Sequence, residues 1–102
     1  MKNRIVRFNN HGGPEVLKLV DEEIKEPKDG EVRIKVKALG LNQAEVMLRE
    51  GRYVASPNFP ARIGIEASGI IDSIGNNVST LKMGDSVCTI PFLSWDKNDY
   101  WT

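Results

Sequence analysis

The sequence predicts a mainly β fold of the α+β kind with one short helix, and three observations carry that expectation. Val32, Ile34, Val36 and Ala38 alternate with Arg33, Lys35 and Lys37, the period of two that gives a strand one inward and one solvated face. Clusters of turn residues recur at short intervals, at 9–14, 26–30, 75–77 and 81–85. Helical spacing of apolar residues is confined to Ala44, Met47 and Leu48. Short strands punctuated by glycine and proline favour a small barrel or sandwich.

Taken in order, Ile5, Val6 and Phe8 form a strand-like start that ends at Asn9-Asn10-His11-Gly12-Gly13-Pro14. Residues 16–24 resume an extended pattern with Leu17, Leu19 and Val20 as apolar positions. Glu26-Pro27-Lys28-Asp29-Gly30 breaks it, and Asp29-Gly30 is a hairpin-type turn signal. The alternating strand over 32–38 follows. The spacing then predicts a helix over 42–50: Asn42 is the N-cap, Glu45 stands where a capping-box partner reaches back, and Gly51 is the stop. Residues 52–63, with Ser56-Pro57 and Phe59-Pro60, are expected to be an irregular loop. Residues 63–74 are rich in isoleucine and small residues and are expected to be a strand, with a bulge or a close backbone approach at Gly69. Ser86 to Ile90 is a last strand, and the tail from Pro91 to Thr102 has two Trp and a Tyr but no clean period.

Composition excludes several classes. The chain has 102 residues, which fits one domain, with 14 Lys plus Arg against 14 Asp plus Glu and 40% hydrophobic residues. No basic excess exists to neutralise phosphates, which argues against nucleic acid or an anionic membrane as partner. No apolar run reaches the roughly 20 residues that span a bilayer, and the start does not read as a signal peptide. A single Cys is compatible with a reducing compartment, so a cytoplasmic location is expected. With one Cys and one His, no four-ligand Cys/His zinc site can be built.

Motifs read from residues alone are incomplete. Gly64-Ile65-Glu66-Ala67-Ser68-Gly69 has the two glycines of a phosphate loop, but Ile70-Ile71 replaces its Lys-Ser/Thr. No G-x-G-x-x-G fingerprint occurs. His11 reads as a surface turn histidine, and Cys88, between Val87 and Thr89, as a packed strand thiol. Asn77-Val78-Ser79 is formally a glycosylation sequon, which has no meaning in a cytosolic chain.

Three blocks in this order add more. They are Phe8-Asn9-Asn10-His11-Gly12-Gly13-Pro14-Glu15-Val16-Leu17, then 31–42, then 64–75 followed by Gly84-Asp85-Ser86-Val87. Together, across residues 8–91, they resemble the N-terminal GroES-like catalytic domain of the medium-chain dehydrogenase/reductase superfamily, in its quinone oxidoreductase branch. The resemblance implies a GroES-like, partly open β-barrel with one short helix. Where zinc alcohol dehydrogenases of the superfamily place a Cys ligand, this chain has Asn42; where they have Gly-His-Glu, it has Gly64-Ile65-Glu66. The chain therefore resembles the zinc-independent branch, which reduces quinones, enones or related carbonyl compounds by hydride transfer from NADPH.

Without a metal, the developing oxyanion needs hydrogen-bond donors. The resemblance implies Asn42 and Tyr53 as the residues at the reacting carbonyl, and Asn42 with Arg49 on the cofactor side. For Asn42 a helix cap and a cleft contact are compatible. Tyr53 is open between lining the cleft and being a half-buried loop aromatic, and Arg49 is open to a simple ion pair with Glu45 one turn away. Glu66 follows the family's acid position, with a structural role open. The family continues into a Rossmann cofactor domain, so residues 1–102 are expected to be part of a two-domain enzyme, short of the strands that close the GroES-like sheet. By itself the chain is expected to be inactive and to self-associate through an open sheet edge. A stand-alone, co-chaperonin-like binding module is the alternative, as is a zinc alcohol dehydrogenase relative that has lost its metal.

Overall fold

The computed structural model describes residues 2–54 and 56–90. They form six strands, β1 (Lys2–Phe8), β2 (Lys18–Glu23), β3 (Val32–Leu39), β4 (Ala61–Arg62), β5 (Ala67–Ile74) and β6 (Ser86–Cys88), with a 3₁₀ turn at Pro14–Val16 and one helix, α1 (Gln43–Glu50). The strands make two antiparallel three-stranded sheets, in the orders β2-β1-β4 and β3-β5-β6. The expected architecture, mainly β with one short helix, is the observed one. No helix among the described residues is long and apolar enough to cross a membrane. The aromatic tail after Pro91 lies outside the described residues.

The first sheet is centred on β1. Ile5 faces Val20 of β2, and Phe8 faces Ala61 of β4. Phe8 is fully buried and joins Leu48 of α1 and Ala61 in the main apolar cluster, against which Val16, Leu17, Tyr53 and Ile63 pack. Leu19, one of the apolar positions expected to pack, is 68% exposed, because the β1–β2 register turns Val20 toward Ile5 instead. Residues 61–62, expected to be loop, pair with Arg7 and Phe8. Two residues carry too little sequence pattern to announce a strand; the partner β1 supplies the ladder.

A charge cluster crosses the same sheet. The Glu22 carboxylate on β2 takes hydrogen bonds from Arg7 on β1 and from Arg62 on β4, the latter at 2.8 Å, while Arg7 also donates to the Pro60 carbonyl at 3.0 Å. Burial alone would raise the Glu22 carboxyl, but the Arg7 hydrogen bond and the charges of Arg62 and Arg7 outweigh it and hold its pKa below the ordinary value.

In the second sheet, the alternation in β3 is visible at its middle: Ile34 and Val36 are half-buried while Lys35 and Lys37 are exposed. It fails at the end, where Ala38 and Leu39 are exposed, because the β3–β5 register shifts between Val36 and Ala38. Gly69 of β5 pairs with Val36 at that irregularity, and a Cβ on it would collide with the Lys35 carbonyl. Both halves of the expectation for Gly69, bulge and close approach, are met. Ile71 beside it is buried at 1% exposure.

Three local expectations change. The Asp29-Gly30 turn exists, with the Glu31 N–H donating to the Lys28 carbonyl at 3.0 Å, but it joins strands of different sheets and is not a hairpin. It seats instead on the 75–77 turn, Gly30 N–H donating to the Asn76 carbonyl at 2.7 Å and Gly75 N–H to the Glu31 carbonyl at 2.8 Å. The strand expected over 63–74 starts only at Ala67. Cys88 pairs with Ser68 in β6 but its side chain is exposed, so it is not the packed thiol expected.

Two outcomes follow. Phe8→Ala should lower the unfolding free energy by about 3–5 kcal/mol in urea titration, the usual cost of emptying a closed aromatic site; a loss under about 1 kcal/mol would show that the cluster is not the core. A carboxylate with a depressed folded pKa contributes stability above its unfolded value and loses it as pH falls through the folded one. Glu22→Gln should therefore cost about 1 kcal/mol at neutral pH. The gap between the two proteins should close as the pH is lowered below the ordinary carboxyl value of 4.5; a gap independent of pH would exclude the ion cluster as its cause.

Candidate functional site

The site is built around the start of α1. Asn42 is the extended N-cap, and it forms a capping box with Glu45, whose carboxylate accepts the Asn42 N–H at 3.5 Å. A capping-box glutamate is ordinarily solvated. Here Glu45 is only 9% exposed, because its other carboxylate oxygen accepts the Ile65 N–H at 3.2 Å across the chain. This bond explains why 63–66 is not strand: the Ile65 amide is taken by a helix side chain, and the Glu66 carbonyl accepts the Gly40 N–H at 3.0 Å. The helix stops as expected at Gly51, with φ at 81°, where Gly51 N–H reaches the Leu48 carbonyl and Arg52 N–H the Met47 carbonyl, a Schellman closure.

The Asn42 side chain points to Glu66. Its Nδ2 donates to Glu66 Oε2 at 3.1 Å. Gly40 makes room for this contact, since a Cβ there would run into the Glu66 carboxylate. Four residues from three segments, Gly40, Asn42, Glu45 and Glu66, are thus joined at one end of the helix, with Asn42 half-buried and Glu66 exposed at the rim.

Arg49 and Tyr53 lie elsewhere. Arg49 is seven residues along α1 from Asn42, about 10 Å at the helical rise. Its Nε donates to the Gly12 carbonyl at 3.1 Å, and its own carbonyl accepts the Gly12 N–H at 3.0 Å. The acid near its guanidinium is Glu50 at 3.9 Å, and Glu45 is engaged at the opposite end of the helix. His11, in the exposed turn as expected, sets Nδ1 3.3 Å from the Arg49 carbonyl and its ring edge-to-face on Phe59 at 5.1 Å. Tyr53 is half-buried and packs on the Phe8–Leu48–Ala61 cluster. The sequence reading named Asn42 and the capping role of Glu45, but missed that Glu45 also holds Ile65 and that Glu66 binds Asn42. Glu45's capping spacing was the only local signal; a bond across 20 residues leaves no periodic trace.

The donor set around Asn42 is an amide, two carboxylates and the aliphatic Ile65, and among the described residues no group of three or more His, Cys, Asp or Glu comes together. The N-terminus of α1, ordinarily a seat for anions, is already engaged by the Glu45 carboxylate through the Asn42 N–H.

Residues 28–100 match the alcohol dehydrogenase GroES-like domain family. The chain belongs to that family. It is similar to a human quinone oxidoreductase, with 42% identity over 98 residues that cover 95% of this chain and 30% of the relative. Among solved structures, the Escherichia coli quinone oxidoreductase complexed with NADPH superposes with a TM-score of 0.81 at 36% identity, over 84% of this chain and 26% of that one. The human synaptic vesicle membrane protein VAT-1 homolog-like protein gives a TM-score of 0.82 at 39% identity, over 86% of this chain and 28% of that one. These likenesses place the GroES-like chain among the quinone oxidoreductase-like members of the medium-chain dehydrogenase/reductase superfamily. The chain spans less than a third of the length of the relatives it matches.

Replacing Glu45 by Ala should destabilise the family chain by about 2 kcal/mol, since the Ile65 and Asn42 amides then lose their acceptor. Hydrogen exchange should show the Ile65 amide losing protection first; retained protection there would exclude Glu45 as its partner.

Proposed function

We propose that this chain forms the substrate side of a zinc-independent, NADPH-dependent oxidoreductase that reduces quinones, enones or related carbonyl compounds. The observation that carries the proposal is the Asn42 side-chain amide, held by Glu66 at the helix start, at the position where zinc-dependent members place a metal-binding Cys. The similar quinone oxidoreductases, one of them complexed with NADPH, support the reaction class and the cofactor. The balanced charge and lone cysteine support a cytoplasmic setting.

In this reading, bound NADPH would supply the hydride, and this chain's own residues would receive the substrate. Asn42 donates a hydrogen bond to the carbonyl oxygen as it gains negative charge, and the family resemblance assigns a second donor to the Tyr53 hydroxyl, although its ring packs on the Phe8 cluster and not beside Asn42. Neither group has to ionise, so stabilisation comes from dipoles already aimed at the oxygen. Arg49 is assigned to the cofactor side, with its Nε fixed on Gly12 and the rest of the guanidinium beside Glu50.

The test follows NADPH oxidation with a simple quinone. The 102-residue chain alone should show none, and the chain joined to a cofactor domain should turn over. Asn42→Ala in the joined enzyme should lower kcat about 100-fold, the usual effect of losing one oxyanion donor. An unchanged kcat in that variant would remove Asn42 from the chemistry.

A further inference from the structure

We propose that Glu66 is a positioning residue for Asn42: its carboxylate holds the nitrogen end of the Asn42 amide, which the helix cap turns outward, in one fixed direction toward the substrate. This rests on the reading that Asn42 meets the substrate carbonyl. The two ends of an asparagine amide are nearly equal in size and opposite in function, one donating two hydrogen bonds and the other accepting. As the N-cap of a capping box, Asn42 turns its side-chain oxygen toward the Glu45 N–H, which leaves the nitrogen end facing outward. An ionised carboxylate only accepts, so Glu66 can bind Asn42 through the nitrogen alone, and it does so at 3.1 Å.

The consequence is chemical. Among the described residues, Glu66 is the partner of Nδ2, which carries two hydrogens, so one N–H is spent on Glu66 and the other is available to a ligand. The amide then offers a donor to a carbonyl oxygen, as oxyanion stabilisation requires, and the bound carboxylate polarises it. The same carboxylate is exposed and outside the apolar core, so its place is not explained by packing.

Glu66 is itself held for this task. Its carbonyl accepts the Gly40 N–H at 3.0 Å, and its side chain lies over the Gly40 Cα where any larger residue would displace it. Glu45 fixes the other side, through the Asn42 and Ile65 amides that bracket the pair. Gly40 and Glu66 therefore act together on one amide group, through a contact that a metal-binding Cys at position 42 would not need.

Two variants read the contact in different ways. Glu66→Leu removes the acceptor; Gly40→Ala keeps it but pushes it aside. In the full 102-residue chain, isotope-labelled and with the Asn42 side-chain resonances identified through Asn42→Ser, both should speed hydrogen exchange of the Asn42 Nδ2 group about tenfold, as expected for loss of a charge-assisted bond. Backbone signals of β1, β2 and β6 should not move. In the enzyme joined to its cofactor domain, each variant should lower kcat about tenfold with KM for the quinone nearly unchanged. Glu66→Leu should add nothing on top of Asn42→Ala, since a positioning residue has no effect once its target is gone. Unchanged Asn42 exchange in both variants, or additive losses in the double variant, would overturn the proposal. If the joined enzyme reduces no carbonyl at all, the oxidoreductase reading fails, while the exchange measurement still decides whether Glu66 holds the Asn42 amide.

Discussion

The buried carboxylate of Glu45 is the contact on which the functional end of this chain depends. One side chain accepts two backbone amides from segments far apart in the chain, Asn42 at the helix start and Ile65 after the 52–63 loop. A carboxylate in a buried place is costly unless its oxygens are satisfied. Here both are, and the helix N-terminus adds a favourable field for the negative charge. The result is a fixed angle between the end of β3, the start of α1 and the approach to β5, with Gly40, Asn42 and Glu66 gathered at their junction.

The other end of α1 is anchored by a different device. Arg49 exchanges two hydrogen bonds with Gly12, one through its carbonyl and one through its guanidinium, and His11 lies against the same carbonyl. Leu48 between these ends enters the apolar cluster with Phe8 and Ala61. An eight-residue helix has little stability of its own. Two anchored ends and one buried leucine make it a rigid platform, which suits a side chain whose donor must be aimed before the substrate arrives.

Charge on the sheets serves the fold. Glu22 spans the three strands of the first sheet through Arg7 and Arg62. On the second sheet Arg33 of β3 reaches Asp72 of β5 at 2.7 Å and Glu26 at 3.0 Å, and Ser73 donates to the same Glu26. These pairs lie at the surface or half-buried and fix strand neighbours more than they add free energy. The acids at the helix start differ from them in kind, because their partners are backbone amides and an asparagine and not cations.

By itself the sequence determined what depends on near neighbours. The alternation over 32–36, the Asn42–Glu45 box, the Gly51 stop and the tight approach at Gly69 are all local rules, and the structure obeys each, while the alternation gives way at Ala38 where the sheet register shifts. The ordered blocks that mark the family were legible for the same reason. The tertiary structure decided what depends on residues far apart in the chain. It made β4 from two residues that pair only because β1 is beside them, turned Val20 rather than Leu19 inward, left Cys88 exposed, and gave Arg49 to Gly12 instead of Glu45. Above all it brought Glu66 to Asn42 and Ile65 to Glu45. Hydrogen bonds between distant segments follow from how the chain is folded back on itself, and no spacing in the sequence encodes them.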